Sequence, residues 1–243
     1  MLRLPFPALL LILSACFAPH SHGGSVLGDD FNQDEDHDYN GMPKLRLVLS
    51  TGYSHWLYNP DSMYSSYERY LNTLESGWNF SGQAVYFPWA QGGIGAEWIW
   101  FLSRTHGEGI KGSATDVGHS LRDRASYVYY GPTFMSRVQF GRFGLLTGAF
   151  GGGILFCRSG FSVDGRSGLL ETRTYAFVPQ VGWEYSFYRL LSIGVNARGI
   201  ISNFTEYEVN GKKVVIAQPE DENWRSQVSM NRVELNASLI FGL

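Results

Sequence analysis

The chain has 243 residues, a net charge of -3, 29 glycines, 15% aromatic residues and only 17% charged residues. Ordinary soluble domains carry about 25% charged residues, and a near-neutral chain gives no case for nucleic acid as a partner. Val, Tyr, Phe, Trp, Gly and Ser dominate, which favours strands over helices and fits one large β-domain or two small ones.

In chain order, the first segment is "MLRLPFPALLLILSACFAPHSHG", residues 1–23. One early cation, Arg3, precedes a short apolar core from Ala8 to Ala15, and small residues follow. This is the pattern of a secretory signal peptide, too short to span a bilayer. Within it "LSAC", residues 13–16, resembles the bacterial lipobox, in which the cysteine becomes the acylated first residue; cleavage a few residues later is the alternative. Cys157 is the only other cysteine, so no disulfide framework and no cysteine zinc site is expected. Residues 24–43 read as an acidic, disordered linker, with six acids between Asp29 and Asp38. Its "DEDHDYNG" has Tyr39 where a calcium loop needs glycine, so no metal is assigned there. The remainder, 44–243, carries 18 Lys/Arg and 16 Asp/Glu.

From residue 44 onward there is no convincing amphipathic helix. Eight strand-like segments follow instead: 44–58, 77–89, 92–103, 124–140, 143–157, 172–187, 190–204 and 229–243. They are longer than the roughly 5 to 6 residues of a soluble strand. A tilted strand crosses a membrane in about 9–11 residues. The connections alternate. Those at 90–91, 141–142 and 188–189 are short, whereas 59–76, 104–123, 158–171 and 205–228 are long and polar. Short turns on one side and long loops on the other predict a closed, antiparallel, up-and-down eight-stranded transmembrane β-barrel. Residues 59–75 leave room for a short helix, since Tyr64, Tyr67 and Leu71 recur at helical spacing.

Period-two alternation assigns the faces. Leu45, Leu47, Leu49 and Tyr53 oppose Arg46, Val48, Ser50 and Gly52. Phe80, Ala84 and Tyr86 oppose Ser81, Gln83 and Val85. Ile94, Ala96, Trp98 and Trp100 oppose Gly95 and Glu97. Later segments repeat the division, except that the Gly-rich 143–157 is ambiguous. One face is bulky and aromatic. The other mixes glycine and small polar residues with Arg46, Glu97, Arg137, Glu184, Arg198, Arg232 and Glu234. An eight-stranded barrel is just wide enough inside for side chains, so the bulky face would overfill it. The aromatic face is therefore assigned to lipid and the charges to a paired, packed lumen.

Aromatics recur near both strand ends. Trp89, Phe140, Phe143, Phe187 and Tyr188 lie beside the short turns, and Trp56, Tyr58, Trp78, Trp100, Phe156 and Phe204 toward the long loops. Two interfacial girdles are expected. Pro132 and Pro179 fall inside strands, so a bulge or weakened pairing is expected at each.

On these segments the chain resembles the small eight-stranded outer-membrane barrels, of the OmpX and OmpA-transmembrane-domain type, over roughly residues 44–243. In that family the last strand ends on an aromatic read by the barrel-insertion machinery. Here Leu243 takes that place, while Phe241 and Leu239 keep the register. The resemblance implies a protein of the Gram-negative outer membrane, exported by its signal peptide. It would be monomeric and in contact with outer-membrane lipid and lipopolysaccharide, and would meet the insertion machinery during assembly.

No catalytic, cofactor-binding or metal-binding residue is assigned. Ser54 and His55 are neighbours on a strand and point to opposite faces. The Ser and His two apart on one strand, as in lipid A deacylase barrels, are missing from all eight segments. His106, His119, Glu108 and Asp116 share a polar loop, read as solvated. "GAFGGGILF" (148–156) lies in a strand and is no phosphate loop. The expected function is a non-enzymatic envelope component or a loop-mediated binding and adhesion protein with an extracellular partner. The rivals are an outer-membrane lipid-modifying enzyme, a narrow pore or carrier for small hydrophobic molecules, and a soluble lipocalin-like barrel.

Overall fold

The computed structural model describes residues 42–57, 76–111, 118–140, 144–188, 190–215 and 228–243. The signal segment, the lipobox, nearly all of the acidic linker and the helical spacing in 59–75 lie outside the described residues. The described chain holds eleven strands: β1 (Leu45–Trp56), β2 (Ser76–Tyr86), β3 (Gly92–Lys111), β4 (Gly118–Phe140), β5 (Gly144–Val163), β6 (Arg166–Tyr188), β7 (Leu191–Phe204), β8 (Glu206–Val209), β9 (Lys212–Val215), β10 (Val228–Ser229) and β11 (Arg232–Gly242).

Eight of them form the barrel. β1 to β7 pair in sequence order, β7 pairs with β11, and β11 pairs back onto β1. The closing register runs from Arg46↔Gly242 to Trp56↔Arg232. Closure satisfies every backbone edge of the ring, which a bilayer demands of any spanning sheet. Side-chain burial alternates strictly along β11, with Arg232, Glu234, Asn236, Ser238 and Ile240 buried and the residues between them exposed. β1 alternates in the same way over Leu45 to Tyr53.

The face assignment holds on every strand where it was made. Leu49, Tyr53, Trp78, Phe80, Trp183, Val195 and Leu235 are exposed on the outer wall. Arg46, Glu97, Arg137, Glu184, Arg198, Arg232 and Glu234 are buried inside. The ambiguous β5 places Thr147, Ala149, Leu155 and Cys157 inside and Leu146 and Phe156 outside. Trp56 and Phe204 are corrections to the girdle: they share the parity of the luminal residues, and Phe204 is buried. Trp78, Trp89, Trp100, Phe156 and Phe187 are exposed, as a girdle requires. Tyr58 and the side chains of Phe140, Phe143 and Tyr188 lie outside the described residues.

Three expected loops contain sheet among their described residues. β3 runs on to Lys111 and β4 starts at Gly118, pairing as far as Lys111↔Gly118 across an irregularity between Gly107 and Ile110. β5 and β6 run through 158–171 and meet in a two-residue turn, with Val163 opposite Arg166. Asp164 and Gly165 there have φ of 48° and 80°. Positive φ at both central positions is the tight hairpin turn whose twist matches the strands, and Asp-Gly is its sequence signature. The segment 205–228 contains a second such hairpin, β8–β9, turning on Asn210 and Gly211 at 50° and 77°. These strands escape a search for alternation because above the membrane both faces meet water, so neither needs to be apolar.

The proline expectation is met as weakened pairing rather than as a bulge. β4–β5 pairing skips Gly131 and Pro132 between Tyr130↔Ile154 and Thr133↔Gly151. β6–β7 pairing skips Val178 and Pro179 between Phe177↔Ile201 and Gln180↔Arg198. The register is unchanged across both gaps. Each proline lacks only its own N–H, which its neighbours tolerate.

Candidate functional site

The lumen is built by alternation: every second residue of eight strands points at one axis. Arg198 of β7 lies at its centre. Its Nη2 is 3.1 Å from Glu97 Oε1 of β3, an ion pair without hydrogen-bond alignment. Its Nη1 meets Glu234 Oε2 of β11 at 3.3 Å. It also donates to Ser81 Oγ at 3.0 Å and Gln180 Oε1 at 3.2 Å. Arg46 of β1 pairs with Glu184 of β6 across the barrel. A buried charge is tolerated only where partners replace the water it loses, and these two clusters use all three predicted glutamates.

The remaining two arginines lie on aromatic rings. Arg232 stacks over Phe101 at 3.8 Å and donates from Nε to Ser54 Oγ at 3.0 Å. Arg137 stacks over Phe87 at 3.9 Å, next to the short-turn mouth. It donates to the carbonyl oxygens of Ala90 at 2.8 Å and Pro43 at 2.9 Å, so it ties the incoming chain to the rim. A guanidinium suits this double role, having planar faces for stacking and a fork of donors. A smaller network of Ser50, Ser238, Asn196 and Asn236 fills the wall between β1, β11 and β7.

The lumen is not polar throughout, which corrects the expected packed polar interior. Ile99, Phe101, Tyr127, Tyr129, Leu155, Cys157, Ala176, Val178 and Ile200 form one apolar cluster. Val85, Phe87, Met135 and Ala149 form another. Phe101 and Tyr127 stack at 4.8 Å between centroids, and Tyr127 donates its hydroxyl proton to Glu234. The sequence signal for these residues was the parity of each strand. Extending the odd-numbered parity of Val85 and Glu97 along β2 and β3 leads directly to Phe87, Ile99 and Phe101. Cys157 is unpaired and buried. A cavity of about 10 Å³ lies beside Arg46, Gln83, Met135 and Glu184, and a larger one of about 110 Å³ opens between Arg46, Arg137 and Glu184 toward the short-turn mouth. The smaller one has room for roughly one water.

Glycine makes space for large luminal side chains other than the arginines. A Cβ on Gly151 would come within 3.0 Å of the Tyr129 hydroxyl, and one on Gly194 within 3.0 Å of Glu184 Cγ.

Ser54 and His55 do point to opposite faces: Ser54 is fully buried, and His55 is outside. His55 Nδ1 instead meets Ser76 Oγ of β2 at 2.8 Å, an exposed contact between paired strands. Sequence reasoning missed it because the partners come from two strands whose register is set only on folding. Among the described residues no carboxylate bonds to His55. His106 and His119 lie in sheet rather than in a loop. Their side chains, and those of Glu108 and Asp116, lie outside the described residues.

No family model and no curated protein matches the chain. Solved structures similar to it are outer-membrane proteins. Neisserial surface protein A (NspA) is 9% identical with a TM-score of 0.45, covering 82% of this chain and 97% of its own. The outer membrane protease OmpT from Escherichia coli is 8% identical with a TM-score of 0.47, covering 82% and 96%. Ail, the attachment invasion locus protein of Yersinia pestis, was solved with the heparin analogue sucrose octasulfate. It is 14% identical with a TM-score of 0.41, covering 82% and 99%. These titles span different activities, and a shared fold does not choose among them. By its own closed ring, apolar outer wall and charged, filled lumen, the chain has the fold of the small eight-stranded outer-membrane β-barrels.

Proposed function

We propose that this chain is a non-enzymatic barrel of the Gram-negative outer membrane that acts through the sheet and loops on its long side. The observation that supports this most is the pairing of a filled lumen with overlong hairpins. β4 and β6 are 23 residues each, and β1 and β2 only 12 and 11. At about 3.3 Å per residue, 23 residues extend roughly 75 Å, far more than an apolar band about 25 Å tall needs. The surplus of β3 to β6 stands above the band as ordered sheet and offers a partner a preformed surface.

Two measurements test the reading. Purified protein in planar bilayers should show negligible conductance, and a stable nanosiemens-scale pore would overturn the filled lumen. Replacing residues 159–170 by a short Asn-Gly turn should leave a heat-modifiable barrel but remove the binding of expressing cells to a host cell layer. Unchanged binding would count against the hairpin as the active surface.

A second reading, a lipid-modifying enzyme, is favoured by the single contact between His55 and Ser76 at the outer wall. A base beside a hydroxyl is the start of a nucleophilic pair, and a third group must orient the base. Incubation with lipopolysaccharide should produce no mass change in the lipid. A loss of one acyl chain that disappears in His55→Ala would establish the enzyme instead.

A further inference from the structure

The short-turn mouth of the lumen holds the larger of the two luminal cavities, about 110 Å³. One water needs about 10–15 Å³ of such space, so several waters or a small organic ion fit. The charged residues lining it are Arg46 of β1, Arg137 of β4 and Glu184 of β6. All three are buried, with Arg46 and Arg137 only 4% and 3% exposed. Two cations thus face one acid across the cavity. Deeper in the barrel, Arg198 and Arg232 match Glu97 and Glu234 in number.

The protein uses only part of what Arg46 offers. A guanidinium carries five N–H donors. Among the described residues its acceptors are Glu184, which pairs with Nη2, and the Met135 sulfur, 3.7 Å from Nη1. A thioether sulfur is a weak acceptor. Arg46 also lines the smaller cavity, so its remaining donors border open space on both sides. A buried cation is costly unless its hydrogen-bonding shell is completed. Arg137 is held in place beside the same space. Its guanidinium lies over Phe87, its Nε donates to the Ala90 carbonyl, and its Nη1 donates to the Pro43 carbonyl.

The lining selects the guest. Guanidinium forks favour a carboxylate or a phosphate, whose oxygens accept two N–H bonds at once. Glu184 repels a second negative charge, so a monoanionic carboxylate fits better than a phosphate dianion. Pro43, Leu145 and Ile240 supply apolar walls. The Ser186 and Ser192 hydroxyls bond to one another at 2.8 Å, which leaves one hydroxyl proton to donate. We propose that Arg46 and Arg137 bind a carboxylate on a short aliphatic stem, taken up from the short-turn side. The stem lies against Pro43, Leu145 and Ile240, and the carboxylate completes the shell of Arg46. The site is at the end of the barrel opposite the surface proposed above and does not depend on it.

The test titrates butyrate into the mature protein in detergent micelles and reads isotope-labelled methionine methyls by NMR. Met42 lines the cavity, Met135 touches Arg46, and Met230 packs on the apolar cluster at the far end of the lumen. Butyrate should shift the Met42 and Met135 signals saturably and leave Met230 in place. Butyramide, of the same shape without the charge, should shift none of them. Combining Arg46→Gln with Glu184→Gln removes one charge of each sign and should weaken butyrate binding about tenfold or more, measured on protein that keeps heat-modifiable gel migration. Glu184→Gln alone should tighten binding several-fold, which a merely structural Arg46 would not do. Six acids lie between Asp29 and Asp38, ahead of Met42, so the titration is repeated with all six changed to Asn or Gln. A valine-ended dipeptide that competes with butyrate assigns the carboxylate to a polypeptide end; one that does not assigns it to a free acid. No saturable shift in either protein, equal shifts by butyramide, or undiminished binding in the double variant would overturn the site. So would equal saturation by chloride, which would make it a site for any small anion.

Discussion

Arg232 and Leu239 carry opposite consequences on one strand. Arg232 is buried against Phe101 and Ser54, whereas Leu239 is 40% exposed on the outer wall. Arg232→Leu removes the donor to Ser54 Oγ and loses the cation–ring contact. Leu239→Val removes one methylene from a surface that meets lipid. The arginine variant should therefore have the lower urea midpoint in detergent, and equal midpoints would contradict the facing. Arg198→Met is the harsher change. It leaves Glu97 and Glu234 buried without their shared cation, a loss of about 3–5 kcal/mol when one partner of a buried pair is removed. Adding Glu97→Gln and Glu234→Gln to it should recover much of the midpoint. If the triple variant is no more stable than Arg198→Met, the pairing is not what holds these charges. The seven luminal charges were legible in the sequence because each falls at the parity opposite the bulky, aromatic face of its strand. Their partners were not, since pairing across a barrel depends on shear, which no local pattern encodes.

At the scale of elements, the alternating strands were legible wherever one face meets lipid and the other a packed interior. β1, β2, β7 and β11 lie within a few residues of their expected bounds. β3 to β6 were seen only in their membrane halves. Beyond Leu102 and Phe156 the alternation dissolves, and the remaining clue was turn chemistry: Asp164-Gly165 and Asn210-Gly211 are paired hairpin signals. These turns fix registers that no apolar face enforces. Changing Asp164 and Gly165 both to Val forces β-branched residues into positive φ. Amide exchange across 158–171 should then rise several-fold while β11 stays protected. Equal loosening of β11 would mean that the hairpin and the ring unfold as one unit.

For the whole molecule, the same alternation that closes the ring also sorts its chemistry. Lipid receives Trp, Phe, Tyr and Leu; the axis receives two ion-paired clusters between apolar layers; water receives the polar ends of four long strands. Closure of β11 on β1 ties all three together, because a slip of one residue would turn Arg232 and Glu234 out and Leu235 in. The most direct test of this arrangement is a spin-label scan of residues 233–241 in a Cys157→Ser background, in lipid, reading oxygen accessibility. Accessibility should alternate with period two, high at 233, 235, 237, 239 and 241 and low between them. High values at the even positions, or no alternation, would contradict the account.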